Sequence, residues 1–116
     1  MRKNMNVTYC ISSWAKMKGL IAKPYLKQDE YYVFPACNAI HTFGLRFPID
    51  VVFCNKFGEV VRYNRLLSPN RIVFVAKAFF AIEFVSDQRL DKKQLRTVVD
   101  VCLNIKQFQQ NHYRWI

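Results

Sequence analysis

The run Ile49-Asp50-Val51-Val52-Phe53-Cys54 constrains this chain more than any other stretch. It is rich in β-branched and aromatic residues, opens after Pro48 and closes at Asn55 and Gly58. That composition predicts a short strand covered on both faces, where polar alternation is lost. Asp50 then stands out, because a carboxylate at the head of a buried strand needs donors to offset its desolvation. Arg46 is the nearest candidate across the Phe47-Pro48 bend, and His41 is a second if the preceding segment folds back. Asn38 and Thr42 lie in the same Ala36 to Leu45 loop, so His41, Arg46, Asp50, Asn38 and Thr42 form the candidate polar cluster. Two readings of it stand side by side: an ion pair that fixes the bend, or a binding or catalytic site on a loop held by a rigid scaffold.

The rest of the chain supplies partners for that strand. Asn55 to Glu59 with Gly58, followed by Val60-Val61-Arg62-Tyr63, is a hairpin signal. Tyr31 to Phe34, Arg71 to Ala76 and Ala78 to Val85 read as further strands. Glu83 is expected on a partly exposed face or beside an arginine. Ser12 or Ser13 can cap a short helix over Trp14 to Ile21 that stops at Pro24. Near the other end, Ser86-Asp87 offers one helix start and the pair Asp91 and Gln94 offers a capping box. Leu95, Val98, Val99, Cys102 and Ile105 then recur at helical spacing, which predicts an amphipathic helix from about Asp91 to Gln109 with this stripe inward.

The segment from Cys37 to Phe53 reads Cys-Asn-Ala-Ile-His-Thr-Phe-Gly-Leu-Arg-Phe-Pro-Ile-Asp-Val-Val-Phe, with Lys-Phe-Gly-Glu-Val-Val after it. Together with Gly19-Leu20-Ile21, Leu26, Pro69 and Ala81-Ile82-Glu83-Phe84, it resembles the domain of unknown function 192 family over about Ala15 to Phe84. The resemblance implies a small β-rich domain and no known reaction. Leu45 stands where the family usually has Met, a tolerable apolar exchange. The family tends to continue into a Gly-rich turn and a closing strand, whereas residues 85–116 contain no Gly. The C-terminal third is therefore expected to be rebuilt.

With 116 residues the chain suits one domain over 1–116, with a family-like β core at 15–84 and a C-terminal helix at 87–110. The expected fold is α+β: a small antiparallel, barrel-like sheet of about five strands, a short N-terminal helix and the longer C-terminal one. Hydrophobic residues make up 52% of the chain, which excludes a disordered protein. The formal charge of +10 brings an anionic partner into consideration, nucleic acid, acidic protein or membrane surface, beside the plainer reading of dispersed, solvated charge. The basic residues are scattered and no recognition motif accompanies them, so nucleic acid is not the favoured one.

Cys10, Cys37, Cys54 and Cys102 form no Cys-x-x-Cys pair and read as reduced thiols of a cytoplasmic protein. Cys37 and His41 would make half a metal site, but with His112 the only other histidine no metal or cofactor is expected. No run approaches membrane-spanning length. The functional expectation is a non-enzymatic binding or accessory module, with a groove around His41 to Asp50 for a partner protein or small anion. The rival is an enzyme using His41 as acid or base, oriented by Asp50, with Arg46 holding an anionic substrate. A third reading is a basic nucleic-acid or membrane-surface binder.

Overall fold

The computed structural model describes residues 5–10 and 23–104. Seven strands and one helix are present among them: β1 Asn6–Tyr9, β2 Glu30–Pro35, β3 Ala39–His41, β4 Ile49–Cys54, β5 Val60–Leu67, β6 Ile72–Phe74, β7 Phe80–Phe84 and α1 Lys92–Cys102. Five strands form one sheet in the order β1-β2-β7-β4-β5, and β3 pairs with β6 in a separate ribbon. The sheet is open, with β1 and β5 as its ends, so the expected barrel does not form. It is also mixed, because β1 runs parallel to β2 while the other neighbours are antiparallel.

The loss of alternation in β4 has a direct cause. Every residue from Ile49 to Cys54 is buried. On one side, Val51 and Phe53 pack with Phe34, Ala81 and the ribbon residues Ile40 and Val73. On the other, Val52 and Cys54 pack with Val33, Ile82, Phe84 and the helix residues Val98, Val99 and Cys102. The order is ribbon, sheet, helix, with a core on each face of the sheet.

The capping box read from Asp91 and Gln94 is present. The Asp91 carboxylate accepts from the Gln94 amide at 2.8 Å and the Gln94 side chain accepts from the Asp91 amide at 2.9 Å. Ser86 instead bends the linker before the helix, its hydroxyl donating to the Gln88 carbonyl at 2.7 Å. The helix ends at Cys102 with Leu103 as its C-cap. Arg96 reaches the Gly58 carbonyl in the β4–β5 turn at 3.1 Å. The Tyr9 hydroxyl donates to the Cys102 carbonyl at 2.8 Å, joining the first strand to the last turn of the helix. The helix thus stops short of the end expected near Gln109; the expected N-terminal helix over 14–21 and Ile105 lie outside the described residues.

The β4–β5 hairpin turns as expected. Asn55 Oδ1 accepts from the Phe57 and Glu59 amides, each at 3.0 Å, and Gly58 takes the left-handed conformation at φ 81° that closes the turn. Beyond the turn, β5 carries two bulges against β4, where Ile49 faces Leu67 but Val51 faces Asn64, and Phe53 faces Arg62 but Cys54 faces Val60. Such insertions twist an edge strand and release main-chain groups from the ladder.

Candidate functional site

The candidate residues fall into two separate places. Ile40 and Val73 at the middle of the ribbon point into the core. Strand alternation turns Ala39 and His41 of β3, with Ile72 and Phe74 of β6, to the outside. They stand as cross-strand pairs, Ala39 with Phe74 and His41 with Ile72. Ile72 is 68% exposed and Phe74 61%. Phe43 stacks on the His41 ring with centroids 5.3 Å apart, and its amide donates to His41 Nδ1 at 3.3 Å. His41 is thus one part of an apolar surface.

Thr42 is fully buried and locks the end of this ribbon. Its hydroxyl donates to the Ser68 carbonyl at 2.7 Å and accepts from the Arg71 amide at 2.9 Å. Its carbonyl also accepts from the Asn70 amide at 3.0 Å. Asn38 is exposed; its carbonyl accepts from the Val75 amide at 2.8 Å, extending the ribbon. Arg46 is exposed and forms no ion pair among the described residues.

Asp50 lies elsewhere. It faces Phe84 across β7 and so points to the helix side of the sheet, while the ribbon covers the opposite side. Its carboxylate, fully buried, accepts from Arg65 Nη1 at 3.0 Å, the Tyr63 hydroxyl at 2.7 Å and the Leu66 amide at 3.0 Å. The partner of Asp50 is therefore Arg65, not Arg46 or His41. The bulge explains why. The extra residue in β5 puts Leu66 in the left-handed region at φ 52° and frees its amide toward the carboxylate.

Arg65 continues to the Ser86 carbonyl at 2.8 Å, and the Tyr63 hydroxyl accepts from the Leu90 amide at 3.2 Å. The network thus ties β4, β5 and the linker to α1 together. Burial raises the Tyr63 hydroxyl above its ordinary pKa, and its hydrogen bond to Asp50 adds to the rise. With Asp50 saturated by three donors and His41 across the sheet, the two side chains do not form the acid-base pair considered from the sequence.

Glu83 corrects a second expectation. It is fully buried in β7, and among the described residues neither of its oxygens has a hydrogen-bond partner and no arginine pairs with it. Its register neighbours are Tyr32 on β2 and Val51 on β4, both of the core under the ribbon. Burial pushes its carboxyl up to about 8, which keeps it protonated at neutral pH. Near the start of the ribbon, a cavity of about 220 Å³ is lined by Cys10, Cys37 and Asn38 among others. All four cysteines are free. No group of three or more potential metal ligands occurs among the described residues.

No helix among the described residues is long and apolar enough to cross a membrane. Curated proteins offer no match to the chain. Two crystal structures share the fold. One is a protein of unknown function from Novosphingobium aromaticivorans, similar at a TM-score of 0.61 and 17% identity, over 72% of this chain and 64% of that one. The other is a proposed transcription regulator from Sinorhizobium meliloti, at a TM-score of 0.61 and 13% identity, over 71% of this chain and 69% of that one. At such identities the likeness shows the fold alone. The model of the domain of unknown function 192, described as an uncharacterized ACR, matches residues 1–101, and on that match the chain belongs to this family of unknown function.

Proposed function

We propose that this protein is a non-enzymatic binding module whose contact surface is the outer face of the β3–β6 ribbon, and that its partner is a protein. One observation carries the reading: Ile72 and Phe74 stand 68% and 61% exposed beside the stacked His41 and Phe43, on a ribbon whose other face is anchored in the core. A rigid support under contiguous exposed apolar side chains is the usual form of an interaction surface. In this reading His41 contributes contact area, Thr42 holds the ribbon end in shape, and Asp50 is a structural acid. The groove expected between His41 and Asp50 becomes a face built around His41 alone.

The test compares what the tagged protein retains from its own host's extract. The double variant Ile72→Ser with Phe74→Ser is set against Phe57→Ser, which alters a still more exposed ring on the β4–β5 turn. All three proteins should melt alike, because none of these side chains fills the core. Loss of a retained protein in the ribbon variant alone supports the reading. Equal retention by both variants overturns it.

A further inference from the structure

We propose that the free edge of β6 takes up an extended, acidic and apolar segment of a partner protein as an added strand of the ribbon. This rests on the ribbon being the contact surface and specifies how the contact is made.

The first support is the hydrogen-bond phase of the ribbon. The Val75 amide donates to the Asn38 carbonyl at 2.8 Å and the Thr42 amide to the Arg71 carbonyl at 2.9 Å. In an antiparallel pair the hydrogen-bonded positions alternate, so Ile40 and Val73 exchange bonds as well. The intervening pairs, Ala39 with Phe74 and His41 with Ile72, direct their N–H and C=O groups off the ribbon. On the β3 edge, the Ala39 carbonyl already accepts the Cys37 thiol at 3.1 Å. On the β6 edge, the main-chain groups of Ile72 and Phe74 have no partner among the described residues, since β6 pairs with β3 alone. Exposed main-chain groups in this phase are what strand addition uses.

Charge selects the occupant. Between residues 31 and 82 the sequence has two acids, Asp50 and Glu59. Asp50 is buried under Arg65, and Glu59 sits in the turn at the far end of β4. Arg46, Arg71 and Lys77 are all exposed, the last two flanking β6 in sequence. A second copy of this chain would bring the same positive edge and a net charge of +10 against it. An acidic segment meets no such repulsion. Alternate side chains of the added strand lie beside Ile72 and Phe74 and are best apolar, while acids between and beyond them meet Arg71 and Lys77.

The probe is a blocked octapeptide alternating valine and glutamate, compared with its valine and lysine counterpart. Amide exchange is followed residue by residue by NMR in the full chain. The expected result is exchange at least about tenfold slower at Ile72 and Phe74 with the acidic peptide, and no binding of the lysine peptide. The variant Ile72→Pro removes an N–H that points off the ribbon, a place where an edge strand accepts proline. It should bind the acidic peptide at least about tenfold more weakly. The same loss should follow when alternate peptide nitrogens are methylated, which leaves the protein unchanged.

Undiminished binding of the methylated peptide, or binding without slowed exchange at Ile72 and Phe74, overturns strand addition. So does dimerisation through this edge, or tighter binding of oligouridylate than of the peptide. If the serine double variant loses its partner while Ile72→Pro keeps it, the contact surface stands and the added strand falls. If the serine double variant keeps its partner, the surface itself is wrong.

Discussion

Replacing Glu83 with Gln should stabilise this protein at neutral pH and flatten its pH dependence. The wild-type carboxyl is fully buried without a partner among the described residues, and burial pushes it from 4.5 up to about 8. Between those values the folded chain still holds the proton, whereas the unfolded chain has released it. The unfolded state then binds fewer protons, so stability falls as pH rises across this window. The slope is about 1.4 kcal/mol per pH unit. Integrated from the unfolded value to pH 7 it comes to about 3 kcal/mol, with the loss levelling off above about pH 8.

A glutamine at the same place keeps a polar group of similar shape but has no proton to lose. Glu83→Gln should therefore match wild type near pH 4.5 and exceed it by about 3 kcal/mol at pH 7, close to 10 °C in melting temperature for a domain of this size. Urea unfolding of both proteins at half-unit steps from pH 4.5 to 8 measures it. Parallel curves for the two proteins would refute the reasoning. So would a wild-type stability that rises with pH while the variant stays flat, because a rising contribution requires an ionised, paired carboxylate in the fold.

Four further outcomes are expected. Asp50→Ala should cost about 3–5 kcal/mol, because Arg65, Tyr63 and the Leu66 amide all lose their acceptor in a buried place, and chemical denaturation would show it; a loss below about 1 kcal/mol would count against that role. Asp91→Ala removes the cap of α1 and should cost about 1 kcal/mol by the same assay, with no change expected in ribbon binding. A thiol reagent applied in denaturant without reductant should modify all four cysteines, and under native conditions Cys37, which is only half-buried, should react before the fully buried Cys54 and Cys102; burial pushes all three thiols up, Cys54 to about 11. Truncation at Asp87 should leave an aggregating chain, since Val98, Val99 and Cys102 cover one face of the sheet and each large apolar side chain is worth about 1.5–3 kcal/mol on burial; a soluble, cooperatively folding fragment would contradict it.

What could be read from the sequence was what depends on neighbours along the chain. β4 from Ile49 to Cys54 was legible because a strand covered on both faces has no polar position to blur its limits. The Asp91 and Gln94 box was legible because its bonds span three residues. β1 was missed: Asn6 to Tyr9 has little apolar pattern and becomes a strand only by lying parallel to Glu30 to Val33. Glu83 was misplaced because nothing in Ala-Ile-Glu-Phe tells a central strand from an edge, and β7 is flanked by β2 and β4.

The burial need of Asp50 is legible in the apolar run around it, but its partner Arg65 lies downstream rather than among the upstream residues His41 and Arg46. Hairpin pairing did hold a usable signal. With a turn at Asn55 to Glu59, the residues opposite Asp50 fall near 65, and an arginine stands there. The bulge that sets the final register could not be counted beforehand. His41 and Arg46 were drawn to Asp50 by proximity in sequence, but the sheet separates the first from it and leaves the second in solvent.

The Tyr9 hydroxyl bonded to the Cys102 carbonyl spans 93 positions, nearly the length of the chain. Its consequence concerns the order in which the molecule can be completed. During synthesis the first strand emerges long before the residues that pack against it, since its sheet neighbour starts at Glu30 and its helical cover ends at Cys102. Contacts of such separation form late and slow folding. Until the helix is made, Val33, Val52 and Ile82 lack the Val98, Val99 and Cys102 side chains that pack over them, which leaves the nascent chain a client for holding chaperones until those residues have emerged.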